Sequence, residues 1–456
     1  MSVHFQQELP VRRRVDVVVV GAGPAGLGAA VSAARNGAKT LVFDAGGCIG
    51  GMATAGLVGP FMTSYDAPAR HMVIRGIFEE LVNRMADIGG AVQPGLVRNE
   101  QPYSSYYRIG HNNVTPFDAS AFKLIGMRMI EESGAELLLH TQFVDVIKDG
   151  DRITGVVIAN KDGLSCVEAN VVVDCSGDAD VAARSGVRFV TGNEEDGNIQ
   201  PASMFVRLAN VDFDRVSAEM RRHREEIRPF YGPYSWLIKQ YPEDWGDFPR
   251  AEIGVYADVE KGFCRLNCSR ILNVDGTKAA DLTRATRIGQ EQCYHVFNFL
   301  KKHADGFQNA VLVETGDTIG IRETRHIEGE YRLTGAEVFA CKVHDNAIAC
   351  MATNMDTHNK DNPGGTLHVP TAGPYFTVPY PCLVAKGVDN LLVAGRAISA
   401  DAMAGSAIRM MPSCMAFGQA AGTAAAMAAA AGICPRDVDV AALRRTLTAQ
   451  GAFVGD

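Results

Sequence analysis

The chain has 456 residues, 47% hydrophobic and 21% charged, with a formal net charge of −8. That length exceeds what one hydrophobic core supports, so two intertwined domains are expected, and the ordinary globular composition excludes a fibrous or disordered chain. The acidic balance argues against nucleic acid or an anionic membrane as the main partner. Eighteen consecutive apolar residues occur nowhere, so no membrane insertion is expected. The first strand is preceded by no apolar signal region, and eleven cysteines scattered singly make neither a disulfide framework nor a CxxC pair. A cytoplasmic setting without a metal site is the expectation.

In chain order, the first element says most. Residues 15–26 read VDVVVVGAGPAG, a valine-rich strand followed by a glycine turn and an alanine-rich helix to about residue 36. Gly21 allows the tight turn, Gly23 lets backbone approach a pyrophosphate, and Gly26 lets helix and strand pack closely. With Ala22, Pro24 and Ala25 these residues form a cradle for a diphosphate at the helix N-terminus. Eighteen residues past Gly26, TLVF ends on Asp44, placed to accept a ribose hydroxyl and to repel a 2′-phosphate. The pattern selects FAD or NAD over NADP.

A glycine-dense loop follows, AGGCIGGMATAGLVGP, in which Gly50, Gly51 and Met52 are candidates to face a flat ligand. Cys48 in that loop is either a packed side chain or a thiol within reach of a covalent link. Helices are predicted over 74–88 and 118–133, the second capped by Asp118. Short strands separated by KDGD and NKDG turns then form a β-meander, with Val144 a candidate cofactor contact, and end in a buried strand at Asn170–Asp174. Gly177 and Asp178 follow that strand, as a turn beside a pyrophosphate or as an ordinary Gly-Asp turn.

From about 200 the character changes to separated strand-like runs, SMFVRL, EIGVYADV and FCRLNCSRI, and one amphipathic helix over 283–303 with Ile288, Val296 and Leu300 on a face. We read 201–369 as a substrate-binding domain inserted into a cofactor domain of 12–200 and 370–456. Residues 228–249, with Trp236 and Trp245, read as an irregular surface excursion, and Cys264 and Cys268 as core packing. The polar stretch NMDTHNKDNPGG at 354–365 suits a mobile loop or lid. NLLVAGR then returns as a buried strand. A helix over about 412–431 follows, with Pro412 in its first turn and Gly418 and Gly422 spaced for close packing on the first helix. Gly395, Arg396 and Met411 border the start of that helix, whose positive end suits an anionic reduced flavin.

Taken together these segments resemble the large, mostly uncharacterised family of FAD-dependent oxidoreductases related to the fumarate reductase and succinate dehydrogenase flavoproteins. The resemblance runs from about 14 to 432, through GAGPAG at 21–26, GGMATAG at 50–56, DCSGDAD at 174–180, LNCSRI at 266–271, GIRETRHIEGEY at 320–331, DTH at 356–358, VPYPCL at 378–383 and GRAISA through GQAAG at 395–422. It implies an α/β fold: a Rossmann-like FAD-binding domain of central parallel sheet plus β-meander, with an inserted α+β substrate domain. It also implies noncovalent FAD and hydride chemistry. The family usually places Glu where this chain has Asp44.

Flavin dehydrogenation needs a base and an anion-stabilising donor converging on the ring. His358 is the candidate base, in a polar loop two residues after Asp356, which could orient the imidazole. Arg322 and Arg325 are candidates to clamp an acidic substrate or to pair with Glu323, and Arg409 to reach flavin or substrate. Asn267 could present an amide to the flavin edge or cap a strand, and Tyr380 is a weaker candidate. Only one GxGxxG is present, with no CxxxxC pair, so direct oxidation of a small molecule with an external electron acceptor of unknown identity is expected, and a homo-oligomer is compatible. The alternatives are a flavin monooxygenase, a double-bond reductase, or a non-catalytic dinucleotide-binding protein.

Overall fold

The computed structural model describes residues 3, 4, 6–194, 197–227, 232–358 and 366–455. Seven strands form the main sheet: β1 (Val11–Val20), β2 (Thr40–Phe43), β3 (Glu136–Leu138), β4 (Gln142–Asp149), β5 (Arg152–Asn160), β6 (Gly163–Asp174) and β7 (Leu391–Val393). Their order is β3-β2-β1-β6-β5-β4, with β7 beside the end of β6. β6 does two jobs. Its first half pairs antiparallel with β5 in the meander, while its second half runs parallel between β1 and β7. Val17, Val18 and Val19 have no exposed surface, as expected for β-branched residues on a strand covered on both faces.

The parallel half is covered by α1 (Pro24–Arg35) and α2 (Met411–Ala431), which meet at backbone distance. A Cβ on Gly418 would lie 2.0 Å from the Ala25 carbonyl oxygen, one on Gly422 2.1 Å from that of Ala29, and one on Gly28 2.4 Å from that of Met415. Glycine is required at these three positions by contact, not by backbone angle. α2 is long and apolar enough to cross a membrane, yet 72% of its apolar window is buried inside the protein. Helix Ala119–Ser133 begins where expected, its Asp118 carboxylate accepting the Ala121 N–H.

A second body centres on an antiparallel sheet in the order Val311–Thr315, Phe205–Ala209, Cys264–Asn267, Gly254–Ala257. Helix Ala279–His303 covers it, burying Ala285, Gly289, Cys293, Val296 and Leu300. The helix starts four residues before the expected position, and Ile288 sits at the margin of its buried face. Cys264 and Cys268 are fully buried core residues with free thiols.

Three expectations differ from the structure. Trp236 and Trp245 are not at the surface; they lie on short helices, Ser235–Gln240 and Pro242–Trp245, whose rings fill the second core. Apolar side chains from Leu333 to Val378 pack into the first core, so the second core closes near Ile321 rather than at 369. Residues 355–358 are not a loop: Met355–His358 is a strand paired antiparallel with Thr366–Val369. The rest of the expected lid, 359–365, lies outside the described residues.

Gly418→Val should lower the melting temperature of the protein and loosen cofactor retention, since overpacking of a close contact costs about 1–3 kcal/mol or more. Calorimetric melting of the purified variant checks this; an unchanged transition would mean the two helices can part without cost.

Candidate active site

Where β1, β2, β6 and β7 end, their loops leave the sheet side by side. Gly21 N–H donates to the Phe43 carbonyl at 2.8 Å, Cys175 N–H to Val20 at 2.8 Å, and Ala394 N–H to Asp174 at 2.9 Å. In open α/β sheets ligands bind outside these carboxyl ends. Gly21 turns with φ +96°, and a Cβ there would lie 2.5 Å from the Cys175 carbonyl oxygen; one on Gly26 would lie 1.8 Å from that of Gly21. Gly23 differs from both, because a Cβ there would meet nothing within 4 Å. Its neighbours across the gap are Gly51, whose added Cβ would come 3.3 Å from the Gly23 Cα, and Gly395, whose added Cβ would come 3.5 Å from the Ala25 Cβ. Gly50 N–H is tied to the Ala22 carbonyl, with Met52 in the next turn and Pro24 opening α1.

Asp44 stands at the end of β2 as the spacing requires. One carboxylate oxygen accepts Ala22 N–H at 2.8 Å and the other Gly46 N–H at 2.7 Å, which leaves each a lone pair for a ribose hydroxyl. Gly177, Asp178 and Arg396 come together: Arg396 Nη2 donates to Asp178 Oδ1 at 2.5 Å, and a Cβ on Gly177 would touch the guanidinium at 3.1 Å. Arg396 Nε is buried and unpartnered. Val144 stands on the outermost strand, 37% exposed, and its contact with a cofactor stays a proposal.

The catalytic candidates gather at the start of α2. Arg409, two residues before it, donates from Nη2 to the Asp356 carboxylate at 2.8 Å and to the Asp356 carbonyl at 3.1 Å, pinning the two-stranded ribbon to the helix entrance. The same carboxylate faces two imidazoles: His358 Nε2 lies 3.3 Å from Oδ2 and His368 Nδ1 3.5 Å from Oδ1. Burial would raise Asp356, but His358, Arg409 and His368 hold it well below the usual carboxylate range, so it is ionised. Burial pushes His358 down to about 4, with Arg322 and Arg409 adding to the effect and outweighing Asp356. The ring is therefore neutral at neutral pH. Arg322 is itself lowered to about 9 by burial and by Arg409 and Arg250.

Other candidates are held by partners within the protein. Asn267 has its side-chain oxygen taken by Arg250 Nη1 at 3.0 Å, which commits half the amide expected to face the flavin edge. Arg325 pairs with Asp180 at 2.8 Å and donates to the Asp178 carbonyl, and Glu323 faces His326 rather than Arg322. Tyr380 is fully buried and donates to the Pro435 carbonyl at 2.8 Å. Cys48 lies 3.8 Å from the Thr54 hydroxyl, as a packed side chain would.

Sequence reading missed another imidazole near this carboxylate. His111 stacks on Tyr107 with centroids 4.1 Å apart, its Nε2 is 3.2 Å from the Tyr256 hydroxyl, and burial lowers it to about 4. Little local marks it: RIGHNN is a polar loop, and its hydroxyl partner Tyr256 comes from the second body. His368 was equally hidden, because its pairing with Asp356 exists only through the register of the ribbon.

The residues fit FAD. An open glycine cradle at the start of α1, the unpartnered Arg396 Nε beside it, and a second helix start holding the buried, unpartnered Ser413 hydroxyl provide phosphate-binding and ring-facing donors. A two-helix, single-fingerprint dinucleotide site with a buried imidazole at its far end defines the class of flavin-dependent oxidoreductases. The chain matches the FAD dependent oxidoreductase family over residues 16–447 and belongs to it. It is an enzyme, and its cofactor is FAD. It is also similar to the thiamine thiazole synthase of Aeropyrum pernix, 32% identical over 191 residues, which is 40% of this chain and 61% of that protein, less than two thirds of its length. Among solved structures, a geranylgeranyl bacteriochlorophyll reductase-like protein of Thermoplasma acidophilum aligns over 96% of this chain and 83% of its own, at 14% identity and TM-score 0.47. The p-nitrophenol 4-monooxygenase of Pseudomonas putida aligns over 97% and 91%, at 13% identity and TM-score 0.47.

Two outcomes follow from this geometry. Gly23→Val should fold with unchanged melting of the apoprotein yet bind FAD much more weakly, measured by flavin content after purification; full flavin occupancy would place the diphosphate elsewhere. His111 and His358 are depressed below an ordinary value of about 6.5, so the unfolded chain binds more protons between pH 6.5 and 4. Their contribution to stability is complete above pH 6.5 and is lost as pH falls towards 4. Melting temperature should drop over that window, and the drop should be smaller in His111→Phe.

Proposed function

We propose that the protein oxidises a small organic molecule by direct hydride transfer, as a dehydrogenase or oxidase, with His358 as the base. The observation that carries this reading is a neutral imidazole held on an ionised carboxylate that is itself pinned to the start of α2 by Arg409. FAD, when bound, supplies a two-electron acceptor at its N5. The chain supplies the proton acceptor: His358, neutral and set against Asp356 through Nε2, takes the substrate hydroxyl or amine proton. Asp356 orients the ring and steadies the imidazolium that results. Arg409, fixed by the same carboxylate, leaves the helix start to stabilise negative charge.

The DTH and GRAISA through GQAAG motifs support kinship with the fumarate reductase and succinate dehydrogenase flavoproteins as part of this reading. An external electron acceptor is favoured because the chain carries one dinucleotide fingerprint, and the singly placed cysteines favour a cytoplasmic setting.

The test is an anaerobic screen of hydroxy acids, sugars and cyclic ketones for bleaching of the flavin, followed by His358→Gln. The variant should keep its flavin and lose about 10²–10⁴-fold in the rate of flavin reduction. The wild-type rate should show no acid limb near pH 6.5, because the imidazole protonates only near pH 4. Reduction at full rate in the variant would remove His358 from the chemistry, and incorporation of oxygen into product would favour a monooxygenase.

A further inference from the structure

His111 stands beside the charged groups of the site, yet its nitrogens are already in use. Nδ1 lies 3.4 Å from the Ile109 carbonyl and Nε2 3.2 Å from the Tyr256 hydroxyl, so both are engaged by the protein. Acid–base work on a substrate is therefore closed to this imidazole. What it can offer a ligand is the flat face of its ring.

Tyr107 covers one face, stacked with centroids 4.1 Å and planes 13° apart. Tyr256 does not cover the other: it meets the imidazole at its edge, with centroids 6.0 Å and planes 24° apart, and so extends the same surface. Tyr107 and Tyr256 are buried, whereas His111 keeps part of its surface accessible. That surface does not look outward. Burial lowers the imidazole to about 4, with His368 and Asp356 acting on it, which puts it in the interior beside the ribbon that carries His358. A neutral ring, backed by a second ring and held at both nitrogens, selects for shape rather than charge and favours a planar partner in offset stacking.

We infer that the substrate is a planar unsaturated ring bearing the alcohol or amine to be oxidised, and that it stacks on the face of His111 opposite Tyr107. This rests on the reading of His358 as the base of a flavin site.

The experiment titrates purified holoenzyme with benzyl alcohol and with cyclohexylmethanol, the same carbon skeleton without the flat ring, reading the flavin spectrum and, in parallel, calorimetric heat. Cyclohexylmethanol exposes the larger apolar surface, so burial alone would favour it. Saturable binding of benzyl alcohol, tighter than that of cyclohexylmethanol, is expected. His111→Leu loses the ring at similar bulk and should weaken benzyl alcohol on the order of three- to tenfold while leaving cyclohexylmethanol unchanged; His111→Phe should keep the preference. No binding of benzyl alcohol by either readout, equal or tighter binding of cyclohexylmethanol, or an undiminished preference in His111→Leu would overturn the inference. If that last variant also lost its flavin, the face would belong to the cofactor. Should His111→Leu fail to fold, His111→Gln and the wild-type comparison of the two alcohols still decide. Binding of benzyl alcohol that depends on His111, together with flavin reduction at full rate in His358→Gln, would instead sink the reading of the base and leave the stacking surface standing.

Discussion

Everything at the site depends on how closely α2 lies against α1. The approach is set by glycines whose hydrogen atoms are replaced, in any other residue, by a carbon overlapping a carbonyl oxygen: Gly28 on one helix, Gly418 and Gly422 on the other. Because the helices touch backbone to backbone, with Gly418 level with Ala25, the start of α2 runs about two turns past the glycine turn that opens α1. Two positive helix ends therefore border one gap, which is what an extended molecule with a diphosphate at one end and an electron-accepting ring at the other requires. The composition of α2, nearly all small and apolar residues, follows from this burial rather than from any membrane.

The second consequence is electrostatic. Arg409 stands immediately before α2, and its ion pair with Asp356 draws a ribbon of the chain across the helix entrance. The second body meets the first through a separate buried network: Arg265, 2% exposed, pairs with Asp258 at 3.0 Å and donates to the Phe117 carbonyl at 2.6 Å, while Arg207 joins Asp258 to Asp118. Phe117 and Asp118 precede and cap a helix of the first body, so the cap that starts the helix also receives the docking arginine. With the bodies fixed this way, Arg250 and Arg322 arrive beside the ribbon.

The cofactor half was legible because its signals are local. GAGPAG, the acid at Asp44, the strand-to-glycine turn at Gly177 and the Pro412, Gly418 and Gly422 spacing each report one short stretch of backbone, and each was found where its spacing put it. The catalytic half was only partly legible. His358 and Asp356 were visible as neighbours in sequence, but the ribbon they belong to pairs across a segment whose polar composition reads as loop. Trp236 and Trp245 misled for the opposite reason: flanking prolines and tyrosines suggest surface, whereas the rings are the largest pieces available to fill the second core.

Local backbone chemistry, written in glycines, valines and one carboxylate, by itself determined that this protein holds a dinucleotide. Tertiary structure alone decided which charged groups gather beside the ribbon, because His111, His368, Arg250, Arg322 and Arg409 are far apart in the sequence and only the packing of the two bodies brings them together.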